Sequence, residues 1–144
     1  MPTQTAPLNP NAQEIARGVL RLLHQHDYMG VTEMTLANHR RADIAALGPK
    51  GDITIIEIKS SVADFRSDQK WPEYRDFCDH FYFAVGHRFP HELIPQDTGL
   101  IVADAFGGAF LRQAPEDKIA AARRKAFTLR FARLAAQRLS HELP

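Results

Sequence analysis

The spacing of apolar residues along the chain predicts one helix followed by a group of strands. Helical spacing is carried by Ile15, Val19, Leu22 and Leu23. An asparagine cap within residues 9–11, with Pro10 in the first turn, would begin this helix, which should end near residues 26–27. Alternating and β-branched residues then predict strands over residues 28–36, 41–47 and 53–59. Short turns separate these strands, so we expect an antiparallel meander.

The second half of the chain predicts the rest of a mixed sheet and two more helices. Residues 60–67 are predicted to form a polar connection, and residues 68–79 a helix whose buried stripe is Trp71, Tyr74, Phe77 and Cys78. The remaining elements are strands over 80–85, 99–104 and 110–112, a loop over 86–98, and a long helix over 114–139 that is continuous or broken near 117–118. A helix between the third and fourth strands allows those strands to be parallel. The order predicts a three-layer α/β fold, with helices on both faces of a central mixed sheet.

The composition is typical of one soluble globular domain. The chain has 144 residues, of which 44% are hydrophobic and 24% charged. We expect residues 1–10, which include three prolines, to form a flexible tail and residues 11–144 to form the domain. The lone Cys78 excludes an internal disulfide and a cysteine-rich zinc site, and fits a reducing compartment. With no secretory signal and no apolar run of about 20 residues, we expect a cytoplasmic protein that does not span a membrane.

Acidic residues stand at neighbouring points of the second and third predicted strands. Asp43 lies near the start of one strand, and Glu57 and Lys59 lie at the end of the next. Residues two apart on a strand share a face, and the hairpin would bring Asp43 beside them. The two carboxylates and a backbone carbonyl, for example that of Ile58, could bind Mg²⁺ or Mn²⁺. Lys59 would then orient the attacking water or stabilise negative charge on a phosphate.

A simpler interpretation of the same residues involves no metal. Asp43 would cap a turn, and Glu57 with Lys59 would form an exposed ion pair, which contributes about 0–1 kcal/mol. Against this interpretation, Glu57 follows three isoleucines within four residues. A carboxylate at the end of such an apolar strand is costly unless it has a partner or a role.

The acidic pattern and its surroundings resemble a known group of nucleases. Asp43-x13-Glu57-Ile58-Lys59, on a strand–turn–strand after an N-terminal helix, resembles the PD-(D/E)xK nuclease superfamily, although Ala42 stands where that pattern has proline. A closer resemblance, to the MmcB family of bacterial DNA-repair proteins, covers nearly the whole chain after about the first dozen residues. The segments that carry it are Arg40-Arg41-Ala42-Asp43, Glu57-Ile58-Lys59-Ser60-Ser61, Asp64-Phe65-Arg66, Lys70-Trp71-Pro72-Glu73-Tyr74 and Asp97-Thr98-Gly99-Leu100-Ile101. The resemblance implies a restriction endonuclease-like fold, a role in DNA repair, and a Mg²⁺- or Mn²⁺-dependent site.

Three further residues are candidates for accessory roles at this site. Many superfamily members carry an acid in the first helix; Glu14 is the candidate here, and Gly18 one turn later would allow close approach to the sheet. The alternative for Glu14 is a first-turn acid that favours the helix dipole. Lys70 and Tyr74 have the four-residue spacing of a Gln–Tyr pair in related exonucleases. Lys70 is expected to contact a phosphate, whereas Tyr74 could equally belong to the core.

Positive charge is concentrated near the C-terminus, although the net charge is only +1. Seven Lys/Arg residues and no Asp/Glu lie between residues 118 and 141. This segment is predicted to be the solvated face of the last helix, or a contact for the DNA backbone whose strength falls with salt. The residues expected to contact DNA are Arg40, Arg41, Lys70, Arg123, Arg124 and Lys125. The expected partner is single-stranded, branched or damaged DNA, and a homodimer or a repair-complex partner is left open.

Two functions are compatible with these observations. The first is a metal-dependent DNA nuclease that acts in repair through Asp43, Glu57 and Lys59. The second is a catalytically inactive DNA-binding or adaptor module of a repair complex on the same fold. The small size of the chain motivates the second function, because it leaves little room for a separate DNA-recognition domain.

Overall fold

The computed structural model describes residues 9–143 of the chain. Most of the predicted tail, residues 1–8, therefore lies outside the described residues. The regular elements are α1 (Ala12–Gln25), β1 (Met29–Thr35), β2 (Arg41–Leu47), β3 (Ile53–Lys59), α2 (Val62–Ser67), β4 (His80–Val85), β5 (Gly99–Ala103), β6 (Gly108–Arg112) and α3 (Ala121–His141). Two short 3₁₀-helices lie at Trp71–Phe77 and His91–Leu93. Every predicted strand is present, with bounds that differ by at most two residues.

The strands form one mixed sheet in the order β1-β2-β3-β4-β5-β6. The pairs β1–β2, β2–β3 and β5–β6 are antiparallel, whereas β3–β4 and β4–β5 are parallel. The parallel pairing of β3 with β4 follows from the helical crossover between them, as predicted. The three-layer α/β architecture, with an antiparallel meander and a parallel strand in one sheet, is confirmed.

Helices cover both faces of the sheet, which buries β3 along its whole length. On one face, Ile15 and Val19 of α1 pack with Ile56 of β3. On the other face, the first 3₁₀-helix and α3 supply Tyr74 and Phe127. All seven residues of β3 are buried. The polar residues at the end of β3 therefore lie inside the protein rather than at its surface.

The start of α1 differs from the predicted cap. Asn11 is the N-cap: its side chain accepts the Glu14 N–H at 2.8 Å, and the Glu14 carboxylate accepts the Asn11 N–H at 3.1 Å. This reciprocal capping box satisfies two backbone donors at once, so it fixes the first residue of the helix. Pro10 lies before the helix and is buried.

Gly18 allows α1 to approach the β5–β6 turn closely, as its position predicted. A Cβ atom at Gly18 would lie 2.0 Å from the Asp104 carbonyl oxygen and 2.5 Å from that of Gly107. Neither neighbour is the flexible end of a side chain, so only glycine fits there without a backbone shift.

The predicted helix over residues 68–79 is wrong in type and extent. Its first residues belong to a turn, and the helical part is the 3₁₀-helix Trp71–Phe77. The Asp68 carboxylate accepts the N–H groups of Lys70 and Trp71, and Pro72 has no N–H to donate, so an α-helix cannot run through this turn. The predicted connection before it contains α2 instead, which begins because Ser61 caps the Asp64 N–H at 3.1 Å.

The last helix begins seven residues later than predicted. The N–H of Asp117 donates to the Asp79 carbonyl at 2.8 Å, and the N–H of Ile119 donates to the Asp79 carboxylate at 3.1 Å. These bonds hold the segment before α3 in a non-helical conformation, and Pro115 within it cannot continue a helical hydrogen-bond ladder. The helix starts at Ala121, where these contacts end.

Candidate functional site

Asp43 and Glu57 lie side by side where β2 and β3 part. The regular pairing of these strands ends at Ile44 opposite Ile56, so Asp43 and Glu57 would form the next opposed pair. Their side chains bond to backbone groups instead. The N–H of Asp43 donates to Glu57 Oε2 at 2.8 Å, and the N–H of Ile58 donates to Asp43 Oδ2 at 2.8 Å. The structure thus brings the two predicted acids together, and each bond uses one oxygen of its carboxylate.

The pKa values of both carboxyl groups are raised above their ordinary values. For Glu57, which is 4% exposed, burial raises the pKa most, and the charge of Asp43 raises it further. Burial also raises the pKa of Asp43, although the Ile58 N–H and the Lys59 charge act in the opposite direction. Neighbouring carboxylates that are shielded from water are unfavourable when both are anions. The site therefore favours a proton or a bound cation.

Lys59 shares a face with Glu57, and its ammonium group is buried in an ion pair. Nζ lies 2.7 Å from Asp68 Oδ2, and the two side chains are 8% and 15% exposed. Burial raises the pKa of Asp68, but the hydrogen bonds from Lys59 and from the Lys70 N–H outweigh it and hold that pKa below its usual value. The ammonium group is therefore fixed by Asp68 rather than by the two acids.

The hydroxyl of Tyr74 closes the inner side of the site. It donates to the Arg41 carbonyl at 3.0 Å, which joins the first 3₁₀-helix to the start of β2. Burial, and then the charge of Glu57, raise the pKa of Tyr74. Tyr74 is thus a core residue and also a neighbour of Glu57.

Two acids near the site are absent from the predicted set. Asp68 pairs with Lys59, and the charge of Asp64 contributes to the raised pKa of Asp43. Asp64 lies in the first turn of α2. The Asp68 carboxylate accepts the backbone N–H groups of Lys70 and Trp71. Asp64 belongs to a segment that carries the family resemblance, but its place in the first turn of a helix also suits a structural acid, and Asp68 stands where an acid commonly accepts backbone N–H groups in a turn. Neither pattern distinguishes a structural role from a functional one.

The donor atoms at Asp43, Glu57 and Ile58 suit a hard divalent cation. Mg²⁺ prefers carboxylate and carbonyl oxygens, and it keeps several waters when only one or two carboxylates bind it. The peptide of Ile58 lies against Asp43, since its N–H bonds to that side chain. Within residues 9–143, no group of three or more His, Cys, Asp or Glu side chains could hold a metal. The residues therefore fit a site of two carboxylates plus water, and not one built from side chains alone.

Three arginines that were expected to contact DNA bond to the protein itself. Arg40 forms an ion pair with Glu73. Arg123 donates to the Asp76 carbonyl at 2.9 Å, and its guanidinium lies 4.7 Å from the centre of the Phe77 ring.

Arg124 donates twice to the buried Asp79 carboxylate, at 2.6 Å each. This pair anchors α3 to the start of β4, so the Arg124 guanidinium is engaged within the protein and is only partly exposed. A contact between Arg124 and DNA stays a prediction. Arg40 and Arg123 are also bonded within the protein, so fewer N–H groups of each guanidinium remain to bind a phosphate.

The remaining predicted residues divide by exposure. Arg41, Lys70 and Lys125 are exposed, and no side-chain bond to the rest of residues 9–143 restrains them. They stay predicted DNA contacts. Lys70 and Tyr74 do not share a helical face, because the helix between them is of the 3₁₀ type. Glu14 closes the capping box of α1, which matches the alternative interpretation of that residue.

Comparisons with known proteins agree with the pattern around this site. A family model described as "MmcB-like: DNA repair protein MmcB-like" matches residues 2–143. Among solved structures, the SPO1766 protein of unknown function from Silicibacter pomeroyi is 48% identical, and the match covers 88% of this chain and 87% of that chain with a TM-score of 0.86. A search of curated proteins gives no match.

Within residues 9–143 there is no helix of the length and apolar character that a bilayer crossing requires. The family match spans nearly the whole chain and includes every residue of the acidic site. The chain belongs to the MmcB-like family of DNA repair proteins, and its role is in DNA repair.

Proposed function

We propose that the chain is a divalent-metal-dependent nuclease that hydrolyses phosphodiester bonds in DNA. The observation that supports this proposal is the hydrogen bond from the Asp43 N–H to the Glu57 carboxylate, which places a half-buried and a buried acid with raised pKa values side by side in a member of a DNA repair family. Lys59 lies on the same face of β3, two residues further on. Two acids and a lysine in this arrangement correspond to the PD-(D/E)xK pattern that the sequence resembles.

Each residue of the site has a distinct role in this proposal. Asp43 and Glu57 would hold Mg²⁺ or Mn²⁺ through the oxygens that do not accept backbone N–H groups, together with the carbonyl of Ile58. The bound ion supplies Lewis-acid activation of water and of the phosphate. The acids give up their protons when the site is loaded, so occupancy rises with pH. Lys59 holds a positive charge beside the reacting phosphate, and Asp68 fixes its position.

The test is cleavage of labelled single-stranded, flap and junction DNA by purified protein with Mg²⁺ or Mn²⁺. Glu57→Gln keeps the size of the side chain and an oxygen that can accept the Asp43 N–H, but it removes the charge. We expect it to reduce cleavage by at least about 100-fold. Asp76→Asn is the matched control, because Asp76 is an exposed acid of the neighbouring 3₁₀-helix. Absence of cleavage of every substrate with either metal would reject catalysis by this chain alone.

One observation favours the alternative, a catalytically inactive DNA-binding or adaptor module. The ammonium of Lys59 is already paired with Asp68 at 2.7 Å, rather than with the acids that would hold the metal. Complementation of a repair-deficient strain separates the two functions. An adaptor would retain full repair with Asp43→Asn, whereas a nuclease would lose it while the protein level stays unchanged.

A further inference from the structure

A groove runs between α3 and the first strand of the sheet, and it is separate from the acidic site. One part, of about 620 Å³, lies between residues 33–35 of β1 and residues 130–140 of α3. A second part, of about 280 Å³, lies between the turn at residues 36–38 and residues 123–130 of α3. Arg130 lines both parts, so the two are continuous along one side of the helix. We call this the α3–β1 groove.

The groove carries unneutralised positive charge. Arg130 and Arg133 line it and are exposed, and neither forms a hydrogen bond or an ion pair with the rest of residues 9–143. Arg138 differs, because it donates to the Glu33 carbonyl and the Thr32 hydroxyl and so fastens α3 to β1. The acid that lines the groove is Glu33. The excess of cationic side chains makes the groove complementary to a polyanion.

The floor of the groove is apolar, and an apolar floor favours a single strand of nucleic acid over a duplex. Leu134 and Phe77 are half-buried in it, and Ala126 and Ala37 complete its walls. Unpaired bases have faces that pack on apolar and aromatic side chains while their phosphates meet arginines at the rim. A duplex hides those faces and would contact the rim alone.

The groove is linked to the acidic site through the first 3₁₀-helix. Asn38 lines its second part, and the Asn38 amide donates to the Glu73 carbonyl at 3.4 Å. Glu73 precedes Tyr74, whose hydroxyl bonds to the start of β2 beside Glu57. The first 3₁₀-helix therefore contacts both the end of the groove at Asn38 and the start of β2 beside the two acids.

We infer that the α3–β1 groove binds single-stranded DNA, with Arg130 and Arg133 on its phosphates and its bases on the apolar floor. The choice of DNA rests on the proposed function, whereas the choice of a single-stranded polyanion rests on the charge and lining of the groove. Arg124 and Arg138 contribute to this surface only by holding α3 in place.

The experiment is fluorescence anisotropy of a labelled oligothymidylate with the full chain in EDTA, so that binding is measured without cleavage. Each phosphate contact on a single strand contributes about 0.7 to the slope of log K against log salt. The double variant Arg130→Gln/Arg133→Gln should lower that slope by about 1.4. If affinity at 1 M salt is unchanged, the same contacts predict about a 25-fold loss at 0.1 M salt.

Three further variants test the direction of the charge effect and serve as controls. Glu33→Gln removes the acid from the groove and should tighten binding. Lys50→Gln/Lys118→Gln removes the same charge from exposed positions outside the groove and should leave the slope unchanged. Arg130→Lys/Arg133→Lys keeps the charge and should retain the slope, which excludes a folding defect as the cause of the loss.

Three outcomes would overturn the inference. The first is that the wild type shows no salt-dependent binding, and the second is that the groove and control variants lose the same amount of affinity. The third is that the protein binds a duplex as tightly as oligothymidylate, with the same response to Arg130→Gln/Arg133→Gln. Cleavage assays separate this inference from the nuclease proposal. Arginine-dependent binding without cleavage supports the groove and rejects the nuclease, whereas cleavage by a protein whose binding ignores both arginines rejects the groove alone.

Discussion

Removal of the Arg124 guanidinium should destabilise the fold rather than remove a DNA contact. Both of its terminal nitrogens lie 2.6 Å from Asp79, whose side chain is 2% exposed. The same carboxylate accepts the N–H groups of Ile53 at 2.7 Å and Ile119 at 3.1 Å. One buried acid thus joins β3, the segment before α3, and α3 itself. Arg124→Ala leaves that acid with its backbone donors and without its counter-charge.

The size of the effect follows from the pKa of Asp79. Burial raises it, but the Arg124 hydrogen bonds and the two backbone N–H groups bring it down from 3.8 to about 2. That difference corresponds to about 2.4 kcal/mol in total, of which the arginine supplies a part. The Arg124 side chain is 30% exposed, so solvent screens its charge and reduces its contribution. We expect Arg124→Ala to lower the free energy of unfolding by about 1–2 kcal/mol at pH 7.

Urea denaturation between pH 2 and pH 7 measures this loss. Because the pKa of Asp79 is lower in the folded state, its contribution is present above about pH 4 and disappears as the pH falls through about 2. The difference between wild type and Arg124→Ala should therefore be constant from pH 5 to 7 and small near pH 2. Lys125→Ala, at the exposed next residue, should change stability by less than about 0.5 kcal/mol. Unchanged stability of Arg124→Ala, combined with weaker DNA binding, would refute the reasoning.

Three other measurements test the site and the packing around it. Because the pKa of Glu57 is raised in the folded state, ionisation of this side chain lowers the free energy of unfolding of the metal-free protein as the pH rises above 4.5. Glu57→Gln should therefore be more stable than wild type at pH 8 in EDTA. Equal stability there would contradict the burial of a charged carboxylate. Mn²⁺ should raise the Tm of the wild type by differential scanning fluorimetry and leave that of Asp43→Asn unchanged; an equal rise in both would place the ion elsewhere. Gly18→Ala should lower the free energy of unfolding measured in urea by about 1–3 kcal/mol, because its Cβ would lie 2.0 Å from the Asp104 carbonyl oxygen. Arg17→Ala, on the exposed side of the same helix, should change that free energy little.

The strands were predictable because short runs of apolar and β-branched residues mark them along the chain. Ile53, Ile55 and Ile56 are apolar on both faces of β3, and the helical crossover after them requires a parallel neighbour. Asp43 and Glu57 could be placed together for the same reason, since strand register is set by the residues on each side of the turn. Local pattern therefore determined the sheet and the position of its acids.

The segments that escaped prediction depend on contacts between distant residues. The start of α3 is set by Asp79, about 40 residues earlier in the chain, which no local pattern at Ile119 reveals. The pairing of Lys59 with Asp68 depends on the path of the crossover, and the 3₁₀-helix after it exists because Asp68 captures two N–H groups ahead of Pro72. Arg124 resembled a surface cation for the same reason, because its partner lies far away in sequence.

The sequential strand order has a consequence for how the molecule folds. Each strand pairs with the one before it, so every step that extends the sheet closes only a short loop and costs little chain entropy. The contact of Arg138 with Thr32 is different, because it closes a loop of about 106 residues. Contacts of such long range form late, since their entropy must be lost before they contribute. We therefore expect the acidic site to assemble with the sheet, and the groove beside β1 to appear only in the last step of folding.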